Sequence, residues 1–149
     1  MSYKILIADD EDDVREIMVK KIKQEGYAVV GARDGEEAWA KIKSESPDII
    51  LLDLNMPKID GLTVLKNLRE NPPSKKWQPV IIVSARNELS DINKGLLMEA
   101  DHYLTKPCHI SDILKAIQLM IGLIPQRKSE SEIKSGSPNP PDKNETKTQ

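Results

Sequence analysis

Short apolar runs alternate along this chain with stretches whose apolar residues recur at helical spacing. The runs are Tyr3 to Ala8, Tyr27 to Ala32, Asp48 to Asp53, Val80 to Ala85 and the shorter His102 to Thr105. "DIILLD" and "VIIVSA" are almost continuous, as strands buried on both faces require. Between them, Val14, Ile17, Met18, Lys21 and Ile22 keep helical spacing and stop near Gly26, a suitable C-terminal cap. Ala38, Trp39 and Ile42 do the same, as do Leu62, Leu65 and Leu68, then Ile92, Leu96 and Leu97, and finally Ile113, Leu114, Ile117, Met120 and Ile121. Strict alternation of strand and helix predicts parallel pairing through crossovers, hence an α/β three-layer sandwich with five strands and five helices. In such sheets sites form beyond the carboxyl ends of the strands, where this chain carries Asp9 and Asp10, Asp53, Ser84 and Lys106.

Composition sets the boundary of the folded part. From Gln126 to Gln149 the only large apolar residue is Ile133, too little to offset the entropy of ordering the segment. The expected division is a globular domain over 1–124 and a disordered polar tail over 125–149, whose five basic and four acidic residues suit a spacer better than a nucleic-acid-binding arm. Aromatic residues make up only 3% of the chain and phenylalanine is absent, so the core must be aliphatic. A formal charge of −2 gives no general reason to expect a nucleic acid or an anionic membrane as partner. Cys108 is the single cysteine and cannot form an internal disulfide, which suits a reducing compartment. With no leader pattern and no apolar run of membrane-spanning length, the expected location is the cytoplasm.

Five consecutive acids, Asp9 to Asp13, follow the first apolar run. Glu11, Asp12 and Asp13 are accounted for by a solvated loop and the positive end of the next helix. Asp9 and Asp10 adjoin the apolar run and sit where the strand leaves the core, which loop solvation does not explain. Taken with "ILIADDED", "DIILLDLNMPKIDG", "VIIVSA" and "DHYLTKP", in that order and spacing, the chain resembles the receiver domain of two-component response regulators, including the bacterial chemotaxis receiver. The resemblance covers residues 3–124. It implies a flavodoxin-like doubly wound sheet of order 2-1-3-4-5 and a phosphoryl group accepted on Asp53, from a histidine kinase or a histidine phosphotransfer protein. Attack by a carboxylate on a phosphodonor brings two anions together, so the site needs positive charge. Asp9, Asp10, Asp53 and the backbone carbonyl of Asn55 are implied to hold Mg²⁺, a hard cation that prefers oxygen ligands. Lys106 is implied to bring an ammonium to the phosphoryl oxygens and Ser84 a hydroxyl. Tyr103 matches an aromatic switch position whose ring turns inward as Ser84 moves, reshaping the last two helices and the strand between them for an unknown downstream protein. A cis Lys106–Pro107 peptide is also implied.

Three positions depart from the common receiver pattern: Lys58 and Glu99 stand where glycine is frequent, and Cys108 replaces the usual Phe. His102 and His109 read as surface residues, and Trp39 and Trp77 as amphipathic anchors. The expected function is that of a single-domain response regulator that acts enzymatically only on itself, with a receiver scaffold or a portion of a longer regulator as alternatives. An aspartyl phosphatase of the haloacid dehalogenase type expects a second acid two residues after the nucleophile, where this chain has Asn55. A flavodoxin-like cofactor carrier would need a phosphate cradle after the first strand, where the acids would repel a phosphate.

Overall fold

A computed structural model describes residues 3–85 and 99–136, with side chains described as far as residue 125. Its elements run β1 (Lys4–Ala8), α1 (Asp12–Gln24), β2 (Ala28–Ala32), α2 (Gly35–Glu45), β3 (Ile49–Leu52), α3 (Gly61–Glu70), β4 (Val80–Ala85), β5 (His102–Lys106) and α4 (Ile110–Gly136). The five strands form one parallel sheet in the order β2-β1-β3-β4-β5. This is the three-layer sandwich that the alternating pattern predicts, with the strand order that the resemblance implies. The helix expected around Ile92, Leu96 and Leu97 lies outside the described residues, which carry four helices.

Side chains alternate across the sheet and so build two aliphatic cores. Leu6, Ala8, Ile50, Leu52, Val80 and Ile82 meet Ala38 and Ile42 of α2 and Val64, Leu65 and Leu68 of α3. From the opposite face Ile5, Ile7, Ile49, Leu51, Ile81 and Val83 meet Met18 and Ile22 of α1 and Ile113, Ile117 and Met120 of α4. Every residue of β3 is buried, as a central parallel strand requires. In α1, Ile17 departs from the expected apolar face. It is 58% exposed, because the arc that meets the sheet is formed by Met18 and Ile22 with the partly buried Val14 and Val19 beside them. Trp39 is half-buried against the first core, with the Lys43 ammonium 5.1 Å from its ring centre.

The last helix continues through Pro125 to Gly136, past Ile124, where the composition changes. Pro125 costs this helix a backbone hydrogen bond, yet the helix, nucleated on the packed residues before it, runs on. Residues 137–149 lie outside the described residues. No helix among the described residues is long and apolar enough to cross a membrane.

Candidate functional site

Strand register brings the acids together. Ala8 of β1 pairs with Leu52 of β3, so the next residue on each strand, Asp9 and Asp53, emerges at the same edge. The Asp53 N–H donates to the Ala8 carbonyl at 3.0 Å, and the Asp9 N–H to the Ala32 carbonyl of β2 at 3.0 Å. On β4, the neighbour of β3, the fully buried Ser84 pairs with Thr105, and Ala85 with Lys106. Asp9 and Asp53 are buried while Asp10 faces solvent, and each of the three offers a carboxylate oxygen within 4.8 Å of the others. The Lys106 ammonium donates to Asp53 Oδ2 at 2.9 Å and to Asp9 Oδ2 at 3.2 Å. The Lys106–Pro107 peptide is cis, as the resemblance implies.

The remaining carboxylate oxygens are fixed by short loops. Asp9 Oδ1 accepts the Glu11 N–H at 2.9 Å, and Asp53 Oδ1 accepts the Asn55 N–H at 3.1 Å. Burial pushes the Asp53 pKa up, and it stays raised although the hydrogen bonds of Lys106 and Asn55 and the Lys106 charge pull it down. Burial acts to lower the Lys106 pKa, but the hydrogen bond and charge of Asp53, with Asp9 adding, outweigh it and hold the ammonium well above its ordinary value. The Lys106 ammonium thus pairs with two of the three clustered carboxylates, and the negative charge left over at a set of hard oxygen donors suits Mg²⁺ rather than a soft metal.

The fold thus brings Asp9, Asp10, Asp53 and Lys106 into one cluster, with Ser84 buried on the neighbouring strand. Tyr103 lies on β5 and is 39% exposed. Lys58 takes the left-handed conformation at φ 71°, which accounts for the frequency of glycine there. Two roles were not legible in the sequence. Glu11, read as loop, brings its carboxylate within 3.9 Å of the Lys106 ammonium. Arg15, on the first turns of α1, reaches back to the Asp9 carbonyl at 2.8 Å. Nothing in an Arg within an acidic helix start signals that contact.

The response regulator receiver domain family matches residues 5–118. The regulatory protein PhoP of Bacillus subtilis is 41% identical over 107 residues, which are 72% of this chain and 43% of PhoP. The response regulator MprA of Mycobacterium tuberculosis is 36% identical over 121 residues, 81% of this chain and 51% of MprA. The chain thus spans about half the length of the curated relatives it matches. Among solved structures, the receiver domain of the Francisella response regulator 1452 superposes with a TM-score of 0.72 at 32% identity, over 81% of this chain and 98% of that one. The Thermotoga maritima response regulator TrrA, solved in complex with Mg²⁺ and BeF, gives 0.70 at 29% identity, over 80% of this chain and 99% of that one. With the family match running from the first strand into the last helix and the same sheet shared with these structures, the chain belongs to the response regulator receiver domain family.

Proposed function

We propose that this domain is a phosphorylation-controlled switch in which Asp53 accepts a phosphoryl group from a histidine kinase or histidine phosphotransfer protein. The observation that carries the reading is the Lys106 ammonium bridging two buried carboxylates at the strand ends, Asp53 at 2.9 Å and Asp9 at 3.2 Å. A carboxylate oxygen of Asp53 attacks phosphorus, the bond from phosphorus to the donor nitrogen breaks, and the imidazole leaves. Water later attacks the acyl phosphate and releases inorganic phosphate, so the domain acts only on itself. Asp9, Asp10, Asp53 and the Asn55 carbonyl would hold Mg²⁺. Bound there, the ion supplies the divalent charge that offsets repulsion between the carboxylate and the phosphodonor oxygens. Lys106 stays protonated and transfers its contact from the carboxylate to a phosphoryl oxygen, while Ser84 donates its hydroxyl to the same group. The partly exposed Tyr103 ring then turns inward, changing the face formed by β5 and the helices beside it, where the downstream protein binds. No nucleic acid or membrane partner is invoked, and the reading is of a domain that works in the cytoplasm.

A small-molecule phosphodonor with Mg²⁺ should add the mass of one phosphoryl group to the parent and none to Asp53→Asn. Equal labelling of the Asn variant would overturn the assignment of Asp53. Lys106→Ala should still label to some extent but lose the change in hydrogen exchange over residues 99–112. A full response in that variant would reduce Lys106 to a charge partner.

A further inference from the structure

We propose that Arg15 is a positioning residue for the divalent cation: it fixes the backbone at Asp9, and thereby the two acids of the β1–α1 loop, in a ligating arrangement. The inference rests on the Mg²⁺ reading above.

Asp9 is tied at each of its polar atoms. Its N–H pairs with β2, Oδ1 with the Glu11 N–H, Oδ2 with Lys106, and its carbonyl with Arg15 Nη1 at 2.8 Å. The carbonyl contact matters most for Asp10, because it orients the peptide that joins the two acids. Asp10 is exposed and has no strand to hold it, yet its carboxylate must stay within 4.8 Å of two buried ones. The other arm of the guanidinium, Nη2, bonds Asp12 Oδ1 in the first turn of α1, so the Arg15 fork links the loop to the helix that follows it. Although it lies on a helix beside an exposed acid, the Arg15 side chain is only 15% exposed.

Gly31 supports the same conclusion independently. It lies inside β2, where glycine weakens a strand, and its φ is outside the left-handed region, so backbone conformation does not demand it. A Cβ at this position would stand 3.3 Å from Arg15 Cδ and 3.7 Å from Cγ and Nε. The bare strand leaves the lane along which the Arg15 chain runs to Asp9.

Charge and positioning predict opposite signs, which makes the role measurable. A guanidinium beside a cation site opposes Mg²⁺ by simple repulsion, so if charge dominates, its removal tightens binding. If Arg15 acts by holding Asp9 and Asp10 in place, its removal weakens binding despite the lost repulsion. The experiment is a Mg²⁺ titration at fixed ionic strength, followed by amide chemical shifts, of the parent, Arg15→Ala and Arg15→Lys. We expect Arg15→Ala to bind about 10-fold more weakly, in the range known for outer-shell supports of metal ligands. Arg15→Lys, which keeps the charge but not the fork, should fall between it and the parent. Binding by Arg15→Ala as tight as the parent's or tighter would overturn the proposal. Should that variant not fold, Arg15→Lys decides: weaker binding supports positioning, and parental affinity overturns it. A parent that binds no Mg²⁺ would overturn the metal reading itself, and the proposal with it, a result distinct from a parent that binds and variants that match it.

Discussion

Burial acts in opposite senses on the two ends of the Asp53–Lys106 pair, and the consequence is testable through pH. Asp53 has a folded pKa above that of the unfolded chain, where Asp titrates near ~3.9. Between the two values the native state holds more protons than the unfolded state, so stability falls as pH rises through the folded pKa. In metal-free buffer the parent should therefore lose stability on that limb, and Asp53→Asn, which mimics the protonated acid, should lose less and be the more stable protein at neutral pH. Urea unfolding at a series of pH values checks this, and an Asn variant less stable than the parent would count against it. Gly61 offers a steric test at the same edge. A Cβ there would lie 2.2 Å from the Asp53 carbonyl oxygen and 2.7 Å from Leu54 Cα, both backbone atoms that cannot step aside. Gly61→Ala should cost about 2 kcal/mol or more and should also slow phosphorylation, because the displaced backbone carries Asp53, the proposed acceptor.

Helices α2 and α3 start on side chains that the preceding loops supply. Asp60 caps α3 by accepting the Thr63 N–H at 2.8 Å, and Asp34 caps α2 by accepting the Glu37 N–H at 2.7 Å. Glu37 reaches back to the Arg33 N–H at 2.8 Å, which makes the α2 start reciprocal. The β3–α3 loop rests on this start: the Gly35 N–H meets the Pro57 carbonyl at 3.3 Å, and a Cβ at Gly35 would lie 1.7 Å from the Ile59 carbonyl oxygen. Lys58 adds an ion pair with Asp34 at 3.6 Å, but at 60% exposure it contributes little. Its backbone hydrogen bond from Glu37, outweighing burial and helped by Lys58, holds the Asp34 carboxyl below its usual range. For a lowered folded pKa, the stabilisation is complete above the unfolded value and fades as pH falls through the folded one. Asp34→Ala should therefore cost about 1 kcal/mol at neutral pH, and the gap to the parent should narrow in acid. A gap that stays constant from neutral to strongly acidic pH would show that the charge is irrelevant to the cap.

The whole molecule stands on two cores separated by one sheet, and they should fail independently. Leu65→Ala on the α3 side and Ile117→Ala on the α4 side should each cost about 2–5 kcal/mol. The double variant should lose the sum to within about 0.5 kcal/mol, because the two sites share no partner side chain. A large departure from additivity would mean that the sheet transmits strain between its faces. The packed side chains reach Ile124 at their C-terminal limit among those described. Deleting residues 126–149 should accordingly leave both the melting temperature and the phosphorylation rate unchanged, and a marked fall in either would show that the segment docks.

The elements and the residues that end their strands were legible in the sequence because both follow local rules. Buried parallel strands read as unbroken aliphatic runs, and the residues that end them, Asp9, Asp53, Ser84 and Lys106, adjoin those runs directly. What the pattern leaves open is which arc of an amphipathic helix meets the sheet. Ile17 keeps helical spacing with Val14 and Lys21 and yet faces solvent. Composition likewise suggests an end at Ile124, whereas a helix already started there runs on to Gly136. The tertiary structure alone decided the contacts that cross the chain. Parallel pairing of β1 with both β2 and β3 brings Asp9 beside Asp53, lays Arg15 over Gly31 and aims its guanidinium at the Asp9 carbonyl. Such contacts depend on register and on how closely two backbones approach, quantities that no local pattern of residues encodes.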